Sequence, residues 1–235
     1  MKKVITVGFI FLIFLFSFFY ISSTRKNYIS KNIQVLATSG IETEKKINEI
    51  SLEFHYKVNI YYPYTSYSNL NKEIENLVGK WLDQLEVAVK EGINLEDQFY
   101  TLDIHYDAYN YQNYISYVFT CFLDTGGAHP NTYIETISFD KEKNNLFTID
   151  SFQKTNINIL SRFSEISRKE LCQNKKLLDS NVWNMVLEGT RPIDKNFQNF
   201  AFSEKGVIVF FERYQIAPYS YGSYQVIIPY SQVNF

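Results

Sequence analysis

Histidine, cysteine, methionine and tryptophan are all scarce in this 235-residue chain, which has three His, two Cys, two Met and two Trp. Two cysteines cannot form a disulfide scaffold, and neither Cys121 nor Cys172 has a Cys or His neighbour at the spacing of a metal motif. The three histidines, His55, His105 and His129, are likewise too far apart in sequence to pair as ligands, so no metal and no cofactor is expected. Five prolines and nine glycines exclude collagenous and low-complexity architectures. The formal charge is −2 and no dense Lys/Arg block occurs. Binding phosphate backbones needs a basic footprint, so nucleic acid is excluded as a partner.

What the chain has in abundance is aromatic: 19 Tyr and 20 Phe, many alternating with polar residues, a pattern of sheets and aromatic-lined surfaces. It also has one long apolar run, Val4 to Ile21, preceded by Lys2 and Lys3 and followed by Arg25 and Lys26. The run just reaches the roughly 17 to 25 residues that span a bilayer, and no small-x-small cleavage site follows it. It reads as an uncleaved signal anchor that leaves the residues after 24 outside the cytoplasm. The expected organisation is an anchor over 1–24, a polar stalk over 25–48, an N-terminal α+β subdomain over 49–145 and a C-terminal one over 146–235.

Within the folded part, Leu52 to Tyr62 alternates strictly and predicts a half-buried strand closed by Pro63. Leu70, Ile74, Leu77, Val78, Trp81, Leu82, Leu85 and Val89 recur at three and four, the stripe of an amphipathic helix that Gly92 ends. Three more alternating segments follow, Tyr100 to Ala108, Tyr114 to Leu123 and Thr132 to Phe139, and suggest an antiparallel meander covered by that helix. A second helix is expected over 156–172 and a short third one near Val182 to Leu187. Phe197–Phe202 and Val207–Phe211 form a hairpin around Glu204-Lys205-Gly206, and Tyr224 to Ile228 a last strand. The fold class is α+β, antiparallel sheets packed against two to three helices.

Thr125 to Asn131, Thr-Gly-Gly-Ala-His-Pro-Asn, joins two of the strands. Adjacent glycines permit positive φ, and Pro130 holds His129 extended, so this is a shaped corner. His129 could act as a general base oriented by Asp124 or Glu135, or simply lock the turn; no serine, cysteine or second histidine completes a triad. His105 beside Asp103 and Asp107 makes a loose acidic trio that an ordinary solvated strand face also explains. The 25 acidic residues offer many carboxylate pairs for glycoside hydrolysis, and nothing in the sequence selects one. Arg213, Tyr214, Tyr219 and Tyr221 crowd one loop, where tyrosines suit recognition of a sugar or a protein. Cys121 and Cys172 either pair or are buried separately.

Gly126-Gly127-Ala128-His129-Pro130-Asn131, Leu146 to Phe152, and Phe210-Phe211-Glu212-Arg213-Tyr214-Gln215-Ile216-Ala217-Pro218-Tyr219-Ser220-Tyr221-Gly222 with Ile228-Pro229-Tyr230 resemble the exported domain of RsiV-type proteins. That domain is similar in turn to the non-catalytic N-terminal part of PdaC-type peptidoglycan deacetylases. The resemblance runs from about Ser51 to Val233. It implies an α+β module at the bacterial cell membrane, with lysozyme-like protein or peptidoglycan as the ligand class. It does not extend to the anti-sigma or deacetylase domain: three residues ahead of the apolar run cannot hold a sigma factor, and no paired-histidine metal site is present. The expectation is a non-enzymatic binding or sensing module on a membrane anchor, its ligand-binding residues His129, Arg213, Tyr214, Tyr219 and Tyr221. The competing expectation is a glycan-acting hydrolase built on His129.

Overall fold

The computed structural model describes residues 33–36, by backbone alone, together with 43–91 and 99–233. The signal anchor expected over 1–24, much of the stalk and the Gly92 cap lie outside the described residues. Among those described, no helix is long and apolar enough to cross a membrane.

Seven strands form one sheet in sequence order: β1 (Ile33–Leu36), β2 (Thr43–Ser51), β3 (Tyr56–Tyr64), β4 (Tyr100–Tyr111), β5 (Tyr114–Asp124), β6 (Asn131–Asp140) and β7 (Asn145–Leu146). All neighbours are antiparallel except β3 and β4, which run parallel from Tyr56↔Tyr100 to Ile60↔Ile104. This corrects the simple meander. Helix α1 (Ser68–Glu91) stands between β3 and β4 in the chain, and a strand, helix and strand can return to the same end of a sheet only in parallel. The helix buries Leu70, Ile74, Val78, Trp81, Leu82 and Leu85, the predicted stripe, against Val58, Ile60, Leu102, Ile104, Tyr117 and Phe119.

Two further boundaries move. The alternation from Leu52 to Tyr62 spans a reversal: residues 52–55 turn, His55 takes φ 50°, and Leu52 and Phe54 are 74% and 40% exposed. Alternation reports a pleated surface and cannot say where the chain doubles back. The stalk expected to run to residue 48 gives up Thr43–Asn48 to β2, where Ile47 is buried opposite Ile60. Cys121 is buried on the helix side of β5 while Cys172 is exposed just after the helix Ile159–Leu171, so both are free thiols and no bridge joins them.

The second sheet has the order β10 (Tyr224–Ile228), β9 (Gly206–Phe211), β8 (Phe200–Ser203), all antiparallel. One of its faces, with Ala201, Ile208 and Phe210, meets Val118 of the large sheet. Its other face carries Phe200, Phe202, Val207, Val209, Phe211, Val226 and Ile228 into a core with α2 (Ile149–Thr155), α3 (Ile159–Leu171) and α4 (Ser180–Gly189). The result is four layers: α1, large sheet, small sheet, and a helical layer with one more helix, α2, than expected.

β8 is an edge strand, so its outer backbone groups would be buried without partners between the layers. Hydroxyls on the face of the large sheet supply them. Thr136 Oγ1 accepts from Phe200 N at 3.1 Å, Ser138 Oγ donates to Phe200 O at 3.3 Å, and Ser116 Oγ accepts from Phe202 N at 3.0 Å. Ser116 and Ser138 also share a 2.8 Å hydrogen bond. Beside this seam Tyr114 stacks on Phe202 at 4.1 Å. Ser116→Ala leaves the buried Phe202 N–H without its acceptor and should cost roughly 1–3 kcal/mol in urea unfolding, whereas Thr120→Ala on the exposed part of the same strand should be near neutral; equal effects would refute the seam's role.

Candidate functional site

The predicted corner and the predicted aromatic loop, far apart in sequence, meet in space. The loop begins at a tight turn, Glu212 to Gln215, in which Gln215 N donates to Glu212 O at 3.1 Å and Tyr214 takes φ 66°. A non-glycine residue in the left-handed region is strained unless its surroundings hold it. Gln215 does so with both ends of its amide: Oε1 accepts from Glu212 N at 3.1 Å, and Nε2 donates to Gly189 O and Asn196 O, each at 3.0 Å. Only glycine fits at 189, because a Cβ there would lie 2.0 Å from Gln215 O. The strained turn leaves Tyr214 59% exposed.

Beyond it, Pro218 opens a 3-10 turn over Tyr219–Tyr221. The Tyr219 hydroxyl donates to Pro130 O at 2.8 Å, which ties the loop to the corner across 89 residues. His129 is exposed and stacks on Tyr219, with ring centroids 4.1 Å apart and planes at 26°. The Arg213 guanidinium lies 4.4 Å from the centroid of the same ring, and Tyr214 tilts against it at 5.6 Å. Arg213, Tyr214, Tyr219 and His129 thus form one contiguous surface, while Tyr221, 38% exposed, has no described contact with the stack.

The carboxylates proposed to orient His129 are engaged elsewhere among the described residues. Asp124 Oδ1 accepts from Gly126 N at 2.9 Å and shapes the corner, and Glu135 pairs with Lys80 of α1 at 2.7 Å. His129 Nδ1 lies 3.1 Å from Pro130 O. Asp103 Oδ1 meets His105 Nε2 at 3.1 Å, His105 stacks on Tyr61, and Asp107 has no part in the pair; no metal-holding group occurs among the described residues.

A cleft of about 710 Å³ that no sequence motif marks adjoins the stack. It follows Asn131 to Thr136, a stretch of β6 left open on its outer side because β7 pairs only with Phe139 and Asp140. Side chains cap that edge: Asn199 Nδ2 donates to Ile134 O at 2.9 Å, and Ile134 N donates to Glu212 Oε1 at 3.4 Å. Asn199 Nδ2 also donates to Glu212 Oε1 at 3.0 Å. One wall holds Lys80, Gln84, Tyr133 and Glu135, with the Tyr133 hydroxyl donating to Gln84 at 2.8 Å; the other holds Glu212, Arg213 and Tyr214. Burial raises the Glu212 carboxyl above its ordinary range, and the charge of Glu135 adds to this, against opposing hydrogen bonds from Ile134 and Asn199.

Residues 135–231 match DUF3298, a family described as protein of unknown function. Similarity to individual proteins reaches further along the chain. It is 26% identical over 221 residues to the peptidoglycan-N-acetylmuramic acid deacetylase PdaC of Bacillus subtilis (strain 168), an alignment covering 91% of this chain and 45% of that protein. It is 26% identical over 185 residues to the immunogenic protein MPT64 of Mycobacterium tuberculosis, covering 76% of this chain and 77% of that one, and 26% identical over 151 residues to an esterase of the same species, covering 63% and 64%. The chain therefore spans less than half the length of the deacetylase. A DUF3298 family protein from Pseudomonas aeruginosa PAO1 has the same fold, with a TM-score of 0.61 at 16% identity over 86% of this chain and 92% of that one.

A carboxyl whose folded pKa is raised holds its proton longer when folded than when unfolded, so its contribution to stability is lost as pH rises through that range. Glu212→Gln removes the penalty. The variant should gain stability relative to wild type in urea melts as pH rises from below the ordinary glutamate range to above it; a difference that does not change with pH would show that Glu212 is not so buried.

Proposed function

We propose that this chain is an extracytoplasmic binding module of the bacterial envelope, tethered by its N-terminal apolar run, and that its ligand is cell-wall glycan. The observation that carries the reading is the stack of Arg213, Tyr219, Tyr214 and His129, in which Tyr214 and His129 are exposed and the other two half-buried, beside a polar cleft. An aromatic face offers a sugar ring a flat apolar partner at little cost in side-chain entropy, and the cleft beside it offers donors and acceptors for hydroxyls. Sequence similarity to a protein named as a peptidoglycan deacetylase supports glycan as the class. The place of His129 in the stack, with Asp124 and Glu135 engaged elsewhere, favours recognition over a base at that position.

The test is co-sedimentation of the full chain, in detergent, with insoluble peptidoglycan. Wild type should pellet with it, and Tyr219→Ala and Arg213→Ala should each weaken binding about tenfold, the scale of losing one stacking or cation–π contact. A lysozyme-like protein is the other ligand of this class. Capture of lysozyme with no retention on peptidoglycan would move the ligand from glycan to protein.

A further inference from the structure

The cleft brings together two carboxylates that no feature of the sequence pairs. Glu135 comes from the face of β6 that carries Tyr133 and looks toward α1, and Glu212 comes from the turn after β9, on the other side of the same strand edge. Their surroundings differ in kind. Glu135 sits 2.7 Å from the ammonium of Lys80 and so has a counter-charge. Glu212 is half-buried, has no cation among its described hydrogen-bond partners, and receives both of those hydrogen bonds on Oε1, from Ile134 N and Asn199 Nδ2. Its Oε2 accepts no described hydrogen bond. Burial above all, with the negative charge of Glu135, raises the Glu212 carboxyl toward the neutral acid, against the hydrogen bonds from Ile134 and Asn199 and the charge of Lys80. Two carboxyls lining one cleft, one biased toward the acid and the other ion-paired, are the division of labour that glycosidic bond cleavage requires.

We infer that Glu212 and Glu135 are the general acid and general base of a glycoside hydrolase site in this cleft. The inference rests on the glycan-binding reading, since the aromatic stack at the mouth would hold the neighbouring sugar. In the step, Glu212 gives its proton to the glycosidic oxygen as the bond from that oxygen to the anomeric carbon breaks. Glu135 takes a proton from water as the water oxygen bonds to the same carbon. One water is consumed and two sugar hydroxyls result. Glu212 is left as the carboxylate and Glu135 as the acid, and proton exchange with solvent restores both. Asn199, bonded to Glu212 Oε1, is a positioning residue, and Oε2 is the oxygen that carries the proton.

The experiment uses the full chain in detergent and insoluble peptidoglycan, with new reducing ends and co-sedimentation measured on the same samples. Wild type should bind and release reducing ends. Glu212→Gln, which keeps an acceptor for Ile134 and Asn199, and Glu135→Gln should still co-sediment measurably with peptidoglycan and lose at least about a hundredfold in turnover, the usual worth of general acid or base catalysis. Thermal melts of both variants establish that they are folded. Binding by wild type without release, or turnover unchanged in both variants, overturns the catalytic pair and leaves the binding reading standing. Failure of wild type to bind overturns both.

Discussion

The three hydroxyls that receive β8 are the constraint on which the other features depend. A second sheet laid on the first would normally bury a row of unpaired amides and carbonyls along its edge, at a cost that apolar packing alone does not offset. Thr136, Ser138 and Ser116 remove that cost at one register only, with Phe200 and Phe202 opposite them. Because the side-chain period of a strand is two, a slip of one residue would turn Phe200 and Phe202 out of the aromatic core with Phe147, Phe152 and Phe163. Polar and apolar requirements therefore select the same alignment.

That alignment carries Asn199 and Glu212 to the open stretch of β6. Asn199 precedes β8 directly and Glu212 follows β9 directly, so both are placed by the small sheet, and together they satisfy the amide and carbonyl of Ile134. The cleft exists because β7 is only two residues long and leaves the rest of that edge to side chains. Gln215 then anchors the turn that presents Arg213 and Tyr214, drawing on Gly189 and Asn196 from the helical layer. All four layers contribute to one place on the surface: α1 through Lys80, the large sheet through Glu135, the small sheet through Glu212, and the helical layer through its hold on Gln215.

Much of the fold was legible in local periodicity. The stripe of α1, the strands β4 to β6, the hairpin of β8 and β9 and the span of β10 all follow from spacing and turn residues, because each buries one face against a neighbour. The parallel pairing of β3 and β4 was not legible, since alternation is the same in either direction and only the path of α1 decides it. The reversal at residues 52–55 was hidden because Leu52 and Phe54 continue the apolar alternation while lying in solvent. For the site, the clustering of Arg213, Tyr214 and Tyr219 and the shape of the glycine-histidine corner were visible, and their contact was not. Glu212 stood in view beside Arg213 with nothing to mark it: its burial, its two donors and its nearness to Glu135 all come from residues at least 13 positions away.

The bond from Tyr219 to Pro130 closes a loop of 89 residues, and the seam from Phe202 to Ser116 closes one of 86. Contacts of such separation form late in folding, because the entropy of closing a long loop must be met before the contact returns anything. The helix α1 and the hairpins of each sheet can form without them; the stack around Tyr219 cannot. A partly folded chain would therefore present neither the aromatic stack nor the cleft. The stack and the cleft are thus present only in molecules whose two halves have already come together.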